Sequence, residues 1–83
     1  VKFWNLYMTN TRLPHNYNQM ITMLIEARHE KKLSQDKLAG IIGCTESLVH
    51  KWEQHKRVPS GFFLMCWLDA LGYDIEIKKR EER

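Results

Sequence analysis

Apolar residues recur three and four positions apart between residues 17 and 32, the spacing that places side chains on one face of an α-helix. The residues that form this stripe are Met20, Met23, Leu24 and Ala27, with Ile21 and Ile25 widening it. The last turn, residues 28–32, is mostly basic, which suits the negative end of a helix dipole. The pattern therefore predicts a half-buried helix over residues 17–32.

Three further helices are predicted from capping residues as well as from apolar spacing. Ser34 and Thr45 can cap the N-termini of the first two, and Pro59-Ser60 opens the third. Glycine permits the left-handed backbone that ends many helices, and Gly43 and Gly72 stand close to where the apolar patterns stop. The helices expected from these signals span residues 35–42, 46–54 and 61–71.

The last of these helices is apolar on nearly every face, which is typical of a core helix or of a helix in a subunit contact. Aromatic residues at helical spacing usually belong to the core. We therefore expect a core that contains the methionines and four aromatic residues, Trp52, Phe62, Phe63 and Trp67, with a dimer contact as the alternative for one of Phe62, Phe63 or Trp67.

The two ends of the chain differ from this helical middle. Residues 1–16 form an N-terminal extension, aromatic and then polar, and Met8 leaves open whether residues 1–7 are native. Residues 73–79 alternate apolar and polar side chains, as a strand with one covered face does, whereas residues 80–83 are expected to be a disordered tail. Such a strand needs a partner, either the N-terminal segment or the same strand of a second copy.

Composition narrows the class of protein without identifying it. The chain has 83 residues, a formal net charge of +3 and no apolar run long enough to cross a bilayer, so we expect one small domain outside the membrane. Cys44 and Cys66 lie in apolar stretches and are expected to be reduced core residues. The histidines lack the spacing of a metal site, and we expect no metal and no cofactor; they are His15, His29, His50 and His55.

The most informative stretch runs from Leu33 to Glu53. Two short helices joined by a three- or four-residue turn can cross steeply only if their contact point is small and the turn tolerates a positive φ. Ala39 and Gly43 meet these two demands, and Val49 supplies an apolar side chain that packs the second helix on the first.

Between about residues 23 and 71 the sequence resembles the phage repressor, Cro and XRE-type helix-turn-helix family. The matching residues are Arg28, Leu33-Ser34-Gln35, Leu38-Ala39, Ile42-Gly43, Thr45, Val49, Trp52-Glu53, Arg57, Pro59 and Leu71-Gly72. The resemblance implies an all-α domain over residues 17–72, a compact repressor-like fold of four to five helices followed by the short β-strand. Lys37 departs from the family, which usually has a glutamate there.

The resemblance also implies roles for individual residues. The helix that begins near Thr45 is expected to enter the major groove of DNA, and its base-contacting residues are Glu46, Ser47, His50 and Lys51. The residues expected to contact phosphates are Gln35, Thr45, His55, Lys56 and Arg57. Arg28 and Glu53 are expected to form a structural ion pair. For Leu48 two alternatives stay open, contact with a thymine methyl group or packing on its own protein.

These roles predict a sequence-specific transcriptional regulator, expected to be a repressor, that binds a palindromic double-stranded operator. One recognition helix contacts too few base pairs for useful specificity, so a homodimer is expected. The expected location is cytoplasmic, for a bacterial or phage-encoded protein. The alternative is an antitoxin that binds a toxin protein and represses its own operon. A catalytic function is not expected, because the sequence has no phosphate-binding loop, no serine elbow and no paired carboxylates.

Overall fold

A computed structural model describes residues 15–77 and 79, with His15 described by its backbone alone. Four helices occupy this part of the chain: α1 His15–Glu30, α2 Gln35–Ile42, α3 Glu46–Glu53 and α4 Gly61–Ala70. The prediction of four helices around one core is confirmed for the described residues. Residues 1–14 of the expected N-terminal extension and the expected tail, residues 80–83, lie outside the described residues.

The helix ends differ from the predicted ones by one or two residues, most clearly in α1. This helix begins two residues earlier than expected, and it also ends two residues earlier, where Lys32 adopts a left-handed backbone with φ 58°. The Lys32 N–H donates to the carbonyl of His29 (3.0 Å) and the Leu33 N–H donates to that of Arg28 (3.1 Å). These bonds satisfy carbonyl groups at the helix end, an arrangement in which the left-handed residue is usually a glycine. α3 and α4 each end one residue earlier than expected.

The turn between α2 and α3 follows the capping residues that the sequence predicts. The Ser34 hydroxyl accepts a hydrogen bond from the Lys37 N–H at 3.0 Å and so caps α2. Gly43 ends α2 with φ 95°, a backbone that side chains other than glycine adopt at a cost. Two residues later the Thr45 hydroxyl caps α3 by accepting from the Leu48 N–H at 3.4 Å. A three-residue turn therefore connects the two helices.

The core joins all four helices. Its buried apolar side chains are Ile21, Leu24, Ala27, Leu38, Ala39, Ile42, Val49, Trp52, Trp67, Leu68 and Leu71. Trp52 of α3 packs against two rings of α4, with centroid distances of 5.5 Å to Trp67 and 5.8 Å to Phe63. Aromatic rings contribute much of the buried apolar area in a small core, so these contacts hold α3 firmly in place.

Several residues expected in the core lie at its edge or on the surface. Phe62 is 72% exposed, and Met23 and Met65 are also exposed, so their assignment to the core was wrong. α4 is apolar all round, but only one side of it can face the other helices, and Phe62 lies on another side. Cys44 and Cys66 are free and half-buried, packed against the core rather than inside it.

The predicted C-terminal strand is not formed in the part of it that the structure describes. Residues 73–77 have no regular secondary structure. An alternating pattern becomes a strand only where a second backbone supplies hydrogen-bond partners, and no other described residue lies in a strand. Within the described range, no helix has the length and apolar character needed to cross a membrane.

Candidate nucleic-acid interface

α3 has a buried face and an open face. Val49 and Trp52 are 0% and 2% exposed, and they fix the rotation of the helix about its own axis. The four residues expected to reach bases lie elsewhere on the helix. Lys51 is half-buried, and the other three are exposed, namely Glu46, Ser47 and His50. The open face therefore presents one carboxylate, one hydroxyl and one imidazole to the outside.

The ion pair expected between Arg28 of α1 and Glu53 at the end of α3 is formed. The Arg28 Nε donates to Glu53 Oε2 at 2.7 Å and the Nη2 donates to Oε1 at 3.0 Å, while the side chains are only 10% and 7% exposed. The third guanidinium nitrogen, Nη1, donates to the carbonyl of Leu33 at 2.8 Å. This two-pronged geometry fixes the carboxylate in position and orientation. The arginine thus ties α1 to both α3 and the residues that lead into α2.

Gln35 links this ion pair to the open face. Its side-chain Nε2 donates to Glu53 Oε1 at 2.9 Å, and its Oε1 lies 3.3 Å from the Nδ1 of His50. A row of polar contacts therefore runs from the buried guanidinium through Glu53 and Gln35 to His50. Gln35 was expected to contact phosphate, but in this structure it orders the side chains of α3 as well.

A shallow, open depression lies where the start of α2 meets the open face of α3. Its lining residues are Gln35, Glu46, Ser47 and His50. Three of the four base-contacting candidates therefore surround one concave surface, together with the glutamine that touches His50. Such a surface can accept hydrogen bonds at Glu46 and both donate and accept them at Ser47.

In the loop that follows α3, His55 packs against the protein, whereas Lys56 and Arg57 face the solvent. His55 adopts a left-handed backbone with φ 62°, and its ring packs edge-on against Tyr17, with a centroid distance of 6.3 Å. Its Nδ1 is buried, and burial lowers the pKa of this imidazole below its ordinary value. The ring of His55 thus turns toward α1, and the expected phosphate contact of this residue stays a prediction. Lys56 and Arg57 are exposed.

The remaining positions singled out in the sequence are Thr45, Leu48 and Lys37. Thr45 is exposed, and because its hydroxyl oxygen accepts from Leu48, the hydroxyl proton can donate to a ligand. Leu48 is half-buried against the core, which favours packing on its own protein over contact with thymine. Lys37, in place of the family's glutamate, is exposed.

Other chemistry finds little support in the described residues. No group of three or more histidine, cysteine, aspartate or glutamate side chains in residues 16–77 is placed to hold a metal ion. The second depression, between α1 and the chain after α4, is mainly apolar and lined by residues such as Met20, Met23, Leu68 and Ile75. Of the two depressions, the one lined by polar side chains is therefore the one between α2 and α3.

Sequence reasoning missed the contacts of Gln35 with Glu53 and His50. Gln35 precedes these residues by 18 and 15 positions, so no local spacing rule connects them. The contacts arise because Arg28 fixes the Glu53 carboxylate, which then accepts a hydrogen bond from the glutamine. A signal for them would require knowing how α1, α2 and α3 pack.

We compared the chain with models of protein families, with curated proteins and with solved structures, and none of the three comparisons gives a match.

Proposed function

We propose that this chain is a sequence-specific regulator of transcription, of the repressor type, that binds double-stranded DNA through α3. In this proposal α2 and α3 are the helix-turn-helix pair of the phage repressor, Cro and XRE-type family that the sequence resembles. The observation that carries the proposal is the open face of α3, where exposed polar side chains stand opposite a fully buried apolar face.

The chemistry of that face suits the edges of base pairs in a major groove. Glu46 accepts hydrogen bonds, as the amino group of cytosine requires, and Lys51, the half-buried fourth candidate of α3, can donate, as guanine O6 and N7 require. Ser47 can do either. A B-DNA major groove admits one α-helix, so α3 can lie in it.

Positive charge beside the face supports the same proposal. Lys56 and Arg57 are exposed in the loop after α3, and Thr45 is exposed at its start. Phosphate contacts on both sides of a recognition helix fix its register on the duplex without reading sequence. The formal net charge of +3 is modest, so we expect local cationic side chains rather than overall charge to supply the attraction.

A homodimer completes the proposal. One helix reads only a few base pairs, and two copies related by a two-fold axis would read a palindrome with half-sites about one helical turn apart. Several apolar side chains are exposed and available for such a contact: Met23, Phe62, Met65, Tyr73, Ile75 and Ile77.

The same apolar surface favours a second candidate function, that of an antitoxin. A toxin protein could cover it while α3 still binds the operon's own operator. Expression in a bacterial host with the neighbouring gene, followed by affinity purification and mass determination, separates the two. A stoichiometric second chain supports the antitoxin, whereas a homodimer alone supports the simple repressor.

Selection of bound duplexes from a random pool, followed by fluorescence anisotropy, tests DNA binding. Glu46→Ala and Lys51→Ala should each weaken the selected site by about 1–3 kcal/mol and leave binding to unrelated DNA nearly unchanged. Lys56→Ala should weaken binding to all sequences. It should also reduce the slope of log affinity against log salt concentration by about one. Lys79→Ala, which removes a charge beyond α4, is the matched control. Failure to enrich any duplex would overturn the proposal.

A further inference from the structure

The row of contacts that ends at His50 fixes which atom of its imidazole faces outward. A neutral histidine carries one ring proton, and the hydrogen bond made by one nitrogen decides the role of the other. His50 is exposed on α3, and only its Nδ1 lies near Gln35, at 3.3 Å from Oε1. The question is therefore whether that nitrogen donates or accepts.

The orientation of the Gln35 amide answers it. Glu53 Oε1 accepts from Arg28 Nη2 at 3.0 Å, and the carboxylate can offer Gln35 only an acceptor. The Gln35 nitrogen must therefore point to Glu53, where it lies at 2.9 Å, and the Gln35 oxygen must point to His50. Since a carbonyl oxygen only accepts, Nδ1 of the neutral ring has to carry the proton.

We infer that Gln35 holds His50 in the Nδ1-protonated form, so that His50 selects a base that offers an amino group, adenine or cytosine. With Nδ1 protonated, Nε2 presents a lone pair. In the major groove, donors are the N6 amino group of adenine and the N4 amino group of cytosine, whereas guanine and thymine present acceptors. This inference rests on the proposed function, because it assigns a base preference to a residue of the proposed DNA-binding face.

Gln35 acts here as a positioning residue, and its replacement separates that role from a structural one. Gln35→Met has nearly the same length but no polar atoms, so Arg28 and Glu53 stay paired while His50 loses its acceptor. Gln54→Met makes the same chemical change on the exposed residue that follows α3 and serves as the matched control.

The first measurement needs no DNA. Long-range ¹H–¹⁵N spectra of the ring nitrogens at about pH 8, where histidine side chains are in general neutral, show which nitrogen carries the proton. We expect Nδ1–H in the wild type and in Gln54→Met, and a mixture of both forms in Gln35→Met. A wild-type ring protonated mainly at Nε2, or an unchanged ring in Gln35→Met, overturns the inference.

The second measurement is duplex selection with the wild type, His50→Ala and the two methionine variants. The position read by His50 is the one whose preference disappears in His50→Ala. We expect adenine or cytosine there in the wild type and in Gln54→Met, by about five- to tenfold, the range of one net hydrogen bond. Gln35→Met should accept all four bases to within about twofold.

The outcomes distinguish this inference from the proposed function. If the wild type enriches no duplex, DNA binding is wrong and the base preference falls with it. If it enriches a duplex with guanine or thymine at the His50 position, or if Gln35→Met keeps the wild-type preference, DNA binding stands and the role of Gln35 is wrong.

Discussion

Replacing Glu53 by alanine should destabilise this protein strongly. The substitution removes the acceptor of three hydrogen bonds, two from Arg28 at 2.7 and 3.0 Å and one from Gln35 at 2.9 Å. It leaves a guanidinium whose side chain is only 10% exposed without its partner carboxylate. Breaking a buried pair in this way costs about 3–5 kcal/mol.

That loss is large compared with the stability of so small a chain. Native proteins are stable by about 0.05–0.15 kcal/mol per residue, which gives roughly 4–12 kcal/mol for a chain of this length. With a urea dependence of about 1.5 kcal/mol/M, the midpoint should fall by about 2–3 M. If the wild type lies at the lower end of this range, a loss near the upper end of the estimate would leave the variant largely unfolded without denaturant.

Urea titration followed by the fluorescence of Trp52 and Trp67 measures this change, because both rings are buried in the native state. Glu26→Ala, which removes an exposed glutamate from α1, is the control and should change the stability by less than about 0.5 kcal/mol. A Glu53→Ala variant within 1 kcal/mol of the wild type would show that the ion pair is solvated in solution, contrary to the reasoning.

Two further predictions concern backbone ends and protonation. Lys32→Gly should raise the free energy of unfolding by about 0.5–1 kcal/mol, since φ 58° costs a lysine more than a glycine. Gly72→Ala, at φ 82°, should lower the free energy of unfolding by about 1 kcal/mol for the same reason. Urea midpoints measure both changes. Because the pKa of His55 is lowered in the folded state, the unfolded chain binds a proton more readily, and stability should fall as pH drops below about 6.5. His55→Asn, which tolerates a positive φ, should reduce the loss of stability between pH 8 and pH 5.5, and an equal loss in both proteins would contradict the assignment.

Local rules predicted the parts of the fold that depend on neighbouring residues. Ser34 and Thr45 cap their helices as expected, and Gly43 ends α2 with a positive φ. The ends of α1 and α3, near Lys32 and His55, were missed. These two residues adopt a left-handed backbone, which a sequence usually indicates by a glycine. Local hydrogen bonds close the helix ends around these residues, and neither residue type indicates a positive φ.

Parts that depend on distant contacts could not be predicted from the sequence. Residue spacing cannot tell which side of an all-apolar helix faces inward, so Phe62 was assigned to the core although it is 72% exposed. The alternating pattern after Gly72 likewise needs a second backbone to become a strand. In the candidate site, the resemblance supplied Arg28 and Glu53, but only the packed helices bring Gln35 between Glu53 and His50.

Stability and the proposed recognition of DNA both depend on one carboxylate, and a double replacement can separate them. Arg28→Met with Glu53→Met exchanges the buried pair for apolar side chains of similar volume, an exchange that is often neutral or stabilising by about 1–4 kcal/mol. We therefore expect the double variant to recover the stability that Glu53→Ala loses. Methionine accepts no strong hydrogen bond from Gln35, so the amide is no longer oriented and His50 is released. A double variant that is stable, binds DNA and keeps the wild-type base preference would show that Glu53 holds the helices together without ordering the surface that reads DNA.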